Sequence, residues 1–145
     1  MATHKKYVCS NSKCKKKSKP SRLLDALLEF SKAPPKCADC GTQTDLKLQF
    51  ELGLGLGETE CTVLDVFTPK HPEKWEYNGD TVRFYPFLVV LRENDGTPRV
   101  WLPYWHVVET KEGKKKKKYG QWAPFMRERY FKELLSQARE KGHDF

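Results

Sequence analysis

Four cysteines in the first third of the chain carry the clearest chemistry. Cys9 and Cys14 form a C-x4-C pair, 22 residues follow, and Cys37 and Cys40 close the set as C-x2-C ahead of Gly41. Two close pairs of thiolates offer four soft ligands, which suits a tetrahedral Zn²⁺ with no position left for water. The spacing predicts a closed structural site made of Cys9, Cys14, Cys37 and Cys40. Gly41 marks a turn in which backbone N–H groups can point back at the sulfurs. Two other uses of these thiols stay open. Two disulfides would suit an oxidising compartment, but the opening MATHKKYV has no apolar run to act as a secretory signal. Iron–sulfur ligation draws on the same thiolates, generally in a tighter run. A cytoplasmic, reducing location is expected.

Charge is the second signal. The chain has 145 residues and a formal net charge of +8, unevenly spread. Lys5, Lys6, Lys13, Lys15, Lys16, Lys17 and Lys19 come before any acid, residues 41–110 are net acidic, and residues 111–145 are basic again. Two basic ends around an acidic middle suit a polyanion if both ends face one way, and serve only solubility if they do not. Lysines close to four thiolates also offset the negative charge left on a zinc site. No stretch approaches the roughly 20 apolar residues needed to span a bilayer, so no membrane partner is expected.

The elements that would position these groups read in order. Tyr7 and Val8 lead into the first pair as a short strand. Pro20-Ser21 reads as a helix start with Ser21 as N-cap; Leu23, Leu24, Leu27 and Leu28 share a face, Phe30 lies beside it, and Pro34-Pro35 ends the element. Such a helix is expected to pack on the following sheet or to offer a partner groove.

The layout of residues 5–45 resembles the FmdB-like zinc ribbons of small bacterial proteins. The shared features are the aromatic Tyr7 before the first cysteine, a similar spacer, and C-x-x-C-G at Cys37, Cys40 and Gly41. Two features depart from that pattern: the first pair is x4 rather than x2, and Lys15 stands where a glycine would follow. The resemblance implies a zinc-ribbon-like subdomain and does not extend to residues 46–145.

From Leu46 to Gly57, leucine or phenylalanine alternates with polar residues and then glycine, which predicts one strand with a buried face. The glycines do not make a G-x-G-x-x-G phosphate loop, because Glu58 stands at the last position and no helix pattern follows. A second strand is predicted over 60–67, in which the unpaired Cys61 reads as a small buried hydrophobe. Residues 68–74 read as a loop with His71 in solvent. Residues 81–109 read as a hairpin around Asn94-Asp95-Gly96. Pro86 marks an unpaired edge or a bulge. Trp101, Tyr104 and Trp105 are either core or a base-stacking platform, and His106 reads as a sheet histidine.

Lys114, Lys115, Lys116, Lys117 and Lys118 repel one another, which predicts a mobile loop able to touch phosphates or simply to stay solvated. A final helix, with Pro124 in its first turn and an apolar stripe at Met126, Tyr130, Phe131, Leu134, Leu135 and Ala138, is expected to cover the sheet; Gly142 stops it. The fold class is therefore α+β: a zinc-ribbon-like module over 1–45 with an inserted helix, then an antiparallel sheet of four to five strands plus the C-terminal helix over 46–145.

Paired carboxylates in a supporting context, a nucleophile motif and an open metal position are all lacking, so no enzymatic activity is expected. The leading expectation is a zinc protein that binds DNA or RNA without sequence specificity. Its contacts would come from Lys15, Lys16, Lys17, the 114–118 lysines and Arg127, with Trp101 stacking on bases. The alternative is a protein-interaction adaptor that uses the aromatic sheet or the leucine-rich helix.

Overall fold

Alternation at Leu46, Leu48 and Phe50 does build a strand, and the rest of the fold is laid beside it. The computed structural model describes residues 2–20, 22–119, 125–140 and 142. Its elements are β1 (Ala2–Cys9), β2 (Lys17–Ser18), α1 (Leu23–Lys32), β3 (Thr44–Glu51), β4 (Glu58–Phe67), β5 (Glu73–Tyr77) and β6 (Asp80–Pro86). They continue with β7 (Leu88–Glu93), β8 (Pro98–Trp101), β9 (Tyr104–Glu109), β10 (Lys115–Tyr119), β11 (Phe125–Arg127) and α2 (Glu128–Glu140). All pairings are antiparallel. One sheet runs β11-β8-β7-β4-β3-β1-β2 and the other runs β10-β9-β6-β5. The α+β reading is thus corrected towards β: two sheets replace the single sheet of four to five strands.

The core fills the space between the sheets and α1. Leu46, Leu48, Phe50, Cys61, Val63, Val89, Leu91 and Trp101 of the larger sheet meet Trp105 and Val107 of the smaller one. Leu24, Ala26, Leu27 and Phe30 of α1 close the cluster. Phe50 and Trp101 pack edge to face with ring centres 5.0 Å apart, a geometry that suits the aromatic quadrupole. Leu24 and Leu27 of α1 are in the core, whereas Leu23 and Leu28 are partly buried at its margin. Arg22 stands at its N-cap in extended conformation without a side-chain cap, and Ser21 lies outside the described residues. β1 pairs with β3 along Tyr7↔Leu46 and Cys9↔Thr44, so the cysteine-bearing segment is one edge of the larger sheet.

The 81–109 hairpin is the element that joins the sheets. Its register is unbroken from Thr81↔Glu109 through Pro86↔Tyr104 and Val89↔Trp101 to Arg92↔Pro98. It bends at Phe87, whose N–H donates to the Pro103 carbonyl at 2.9 Å. β6 and β9 lie in one sheet, β7 and β8 in the other.

Four further expectations are revised. The strand over 46–57 stops at Glu51, because Gly53, Leu54, Gly55 and Gly57 take positive φ and turn the chain into β4. Its tip leaves Leu52, Leu54 and Leu56 at 40%, 100% and 71% exposure. The loop predicted to run through residue 74 ends sooner, at β5, which returns through Asn78-Gly79; both take positive φ, as a type I′ hairpin turn requires. Lys115–Tyr119 is a strand on the edge of the smaller sheet rather than a mobile loop. In a strand, successive side chains point to opposite faces, so neighbouring lysines need not crowd, and an edge lysine strand resists unwanted pairing. Lastly, Phe125–Arg127 pairs with β8, and α2 begins only at Glu128, beside β8 and β11. Pro124 and the side chains of Met126, Tyr130, Leu134 and Ala138 lie outside the described residues. Gly142 does follow the helix end with positive φ, its N–H donating to the Arg139 carbonyl.

The core assignment is testable by truncation. Leu27→Ala, at a fully buried side chain, is expected to cost about 2–5 kcal/mol in denaturant unfolding. Leu54→Ala, at a fully exposed one, is expected to change stability by less than about 0.5 kcal/mol.

Candidate metal centre and charged surfaces

Each cysteine pair sits on a tight turn. In the first, the Cys9 N–H donates to the Lys16 carbonyl at 2.9 Å, and the Cys14 and Lys15 N–H groups donate to the Asn11 carbonyl at 3.0 Å. In the second, the Cys37 N–H donates to the Thr42 carbonyl at 2.7 Å and the Gly41 N–H to the Cys37 carbonyl at 2.9 Å. The residue after the second cysteine is left-handed in both turns: Gly41 at φ 72° and Lys15 at φ 49°. Lys15 thus does the conformational work of the missing glycine at some steric cost. Ser10 ties the turns together, its N–H and hydroxyl both donating to the Gln43 carbonyl at 3.2 and 2.6 Å.

The two turns bring the sulfurs of Cys9, Cys14, Cys37 and Cys40 within 4.8 Å of one another, a cluster that could hold a metal ion. Cys9 and Cys40 Sγ are 3.4 Å apart, Cys14 and Cys37 Sγ 3.8 Å, and none of them is in a disulfide. A tetrahedron with metal–sulfur bonds of about 2.3 Å has edges of about 3.8 Å, so the donor set fits a thiolate-bound ion. Backbone N–H groups of Asn11, Lys16 and Thr42 point at the sulfurs of Cys9, Cys14 and Cys40, as expected around thiolates.

Their thiols are driven apart in acidity. Thr42, donating from both hydroxyl and backbone, holds Cys40 down to about 6. Asn11 works to lower Cys9, but burial and the neighbouring thiols outweigh it and push Cys9 up to about 12. Four negative sulfurs cannot share so small a volume without a cation. Lys16 supplies one charge from outside, paired with Asp39 at 2.9 Å. Cys61 lies apart in the core, where burial pushes it up to about 12, as expected of a small hydrophobe.

The residues expected to meet nucleic acid fall in several places. Trp101 is fully buried and cannot stack on a base. Lys15 and Lys17 are exposed beside the cysteine turns. Among the 114–118 lysines, Lys115 and Lys117 point towards α1, and Lys117 pairs with Asp25 at 2.9 Å. Lys116 and Lys118 point the opposite way, in register with Val108 and His106. Lys114 belongs to the preceding turn, where its N–H donates to Thr110 Oγ1. Arg127 pairs with Arg99 through its backbone; its side chain lies outside the described residues.

The outward face of the smaller sheet joins Tyr104 and His106 to two aromatics that the sequence reading did not single out, Trp75 and Phe84. Trp75, Phe84, Tyr104 and His106 stand on that face in consecutive strands. Ring centres of Phe84 and His106 are 5.3 Å apart, Phe84 and Tyr104 5.6 Å, and Trp75 and His106 5.9 Å. Trp75 is 38% exposed and Tyr77, on the same strand face, 66%. Lys116 and Lys118 border this face on one side; Glu73 and Asp80 lie towards the other. The Asn78-Gly79 turn is the signal that would have found β5 and hence Trp75.

Comparison with protein-family models, with curated proteins and with solved structures gives no match. Among the described residues, no helix is long and apolar enough to cross a membrane.

Replacing Cys40 by Ser is expected to abolish stoichiometric metal binding and lower the melting temperature, whereas Cys61→Ala keeps the metal. Metal analysis of the purified variants checks both. Binding must also expel the protons held by thiols such as Cys9, so affinity is expected to rise with pH, and the stabilisation it brings is lost as pH falls towards 6. Chelator competition at pH 6 and pH 8 measures this; equal affinities would contradict the four-thiolate site.

Proposed function

We propose that this chain is a non-catalytic, zinc-stabilised protein that binds single-stranded nucleic acid on the outward face of its smaller sheet. Four thiolates and no other ligand favour Zn²⁺ held for structure, with no open position for a reacting water. The zinc-ribbon resemblance of residues 5–45 agrees with that reading, as do the paired left-handed turns. A reducing, cytoplasmic setting would keep the thiols available.

One observation carries the binding assignment: a half-exposed aromatic cluster of Trp75, Phe84, Tyr104 and His106, edged by Lys116 and Lys118. Every base has a π-face, so aromatic side chains hold single strands with little regard for sequence, while flanking cations take the phosphates. Repulsion from the acids near β5 favours a sugar–phosphate backbone that runs along β10, with the bases over the rings. A duplex keeps its bases stacked and would profit only from the lysines.

Fluorescence anisotropy with a labelled oligonucleotide tests this. Trp75→Ala and Phe84→Ala are each expected to weaken binding by about 1–3 kcal/mol, about 5- to 150-fold. Lys116→Gln with Lys118→Gln is expected to flatten the dependence of affinity on salt. Wild-type affinity in both aromatic variants would remove the sheet face from consideration.

A second reading, a protein adaptor, draws on the exposed leucines at the β3–β4 tip rather than on α1. It requires that Leu52, Leu54 and Leu56 be shielded in a complex with a protein partner, with oligonucleotide binding absent.

A further inference from the structure

The two basic ends of the chain meet in one cleft that the binding face does not include. Lys5 of β1 and Arg22 at the entry to α1 come from the first basic segment; Lys115 and Lys117 of β10 come from the second. Together they line a depression of about 440 Å³, with Leu24 and Trp105 as apolar wall. Asp25 is the acid beside them, paired with Lys117 at 2.9 Å. Among the described residues, Lys5, Arg22 and Lys115 have no ion-pair partner. Cations gathered in a concavity with low-dielectric walls repel one another and focus a positive potential, which an anion relieves.

We propose that this cleft is a phosphate-binding site. The occupant is a phosphate oxyanion carrying more than one charge or repeated along a chain, because a single charge leaves most of the cluster uncompensated. Arginine suits it through a planar fork of donors and lysine as a point charge. β10 joins the cleft to the aromatic face: Lys115 and Lys117 turn inward, Lys116 and Lys118 outward, on consecutive residues of one strand. In this respect the inference rests on the nucleic-acid reading. A strand lying on the rings would pass over the β10 edge and set its next phosphates in the cleft. A free polyphosphate would use the same cations without touching the rings.

Tripolyphosphate, which has no base to stack, tests the cleft by itself. Calorimetric titration at low salt is expected to show binding. The triple variant Lys5→Gln, Arg22→Gln, Lys115→Gln is expected to weaken it tenfold or more, with Lys117 kept so that Asp25 stays paired. An equal loss of charge at the exposed Lys13, Lys70 and Lys74 is expected to change it less than twofold, and Trp75→Ala not at all. Asp25→Asn, which removes the competing carboxylate, is expected to tighten binding, a gain that misfolding cannot imitate. Oligonucleotides then separate the sources. The triple variant should lose affinity for a strand of about 12 nucleotides and keep it for one of about 4, since single-strand sites span that range. An equal loss for both lengths, or none for either, would mean that free polyphosphate is the ligand and overturn the continuous path. Tripolyphosphate binding that is the same in the triple variant and the wild type would overturn the cleft while leaving the aromatic face standing.

Discussion

Pro86 and Pro103 interrupt the ladder of one long hairpin, and neither can supply the backbone N–H that a strand interior requires. The chain bends between them, with the Phe87 N–H closing on the Pro103 carbonyl, while the register runs through unchanged. Two sheets are thereby built from one pair of strands. The bend also decides which aromatics are seen by solvent. Trp101 and Trp105 turn into the space between the sheets and pack with Phe50, Phe87 and Tyr119. Tyr104 and His106, one residue on either side of Trp105, point out beside Phe84 and Trp75.

The cysteine cluster works at the other end of the larger sheet. Cys9 finishes β1, and Thr44 opposite it begins β3, so the sulfurs gather where β1 ends and β3 starts. An ion there would fix the edge of a sheet whose interior α1 already covers. Beside the cluster, Lys16 is paired with Asp39 at 2.9 Å.

The cysteine cluster was legible because a shared site needs particular residue types at short spacings, and C-x4-C with C-x2-C leaves little choice. The Asn94-Asp95-Gly96 turn was equally readable. Alternation misled at Leu52–Gly57, where leucine every second residue mimics a strand while glycine permits the positive φ that ends it. The lysine run misled for the opposite reason. Repulsion between neighbours argues against a packed face, but a strand sends neighbours to different faces, and the backbone bonds to β9 do not depend on side chains. Which tryptophan is exposed was beyond reach: Trp101 and Trp75 differ in fate because of a bend made by prolines and a hairpin made by Asn78 and Gly79, both tertiary consequences of local residues.

On this proposal the outward aromatic face holds a single strand of nucleic acid. Incorporating 5-fluorotryptophan and following the ¹⁹F spectrum during titration with an oligonucleotide addresses it directly. The Trp75 resonance should move with saturable dependence on the strand, while that of Trp101, sealed in the core, stays in place. A bound oligonucleotide that leaves Trp75 unmoved would contradict the account.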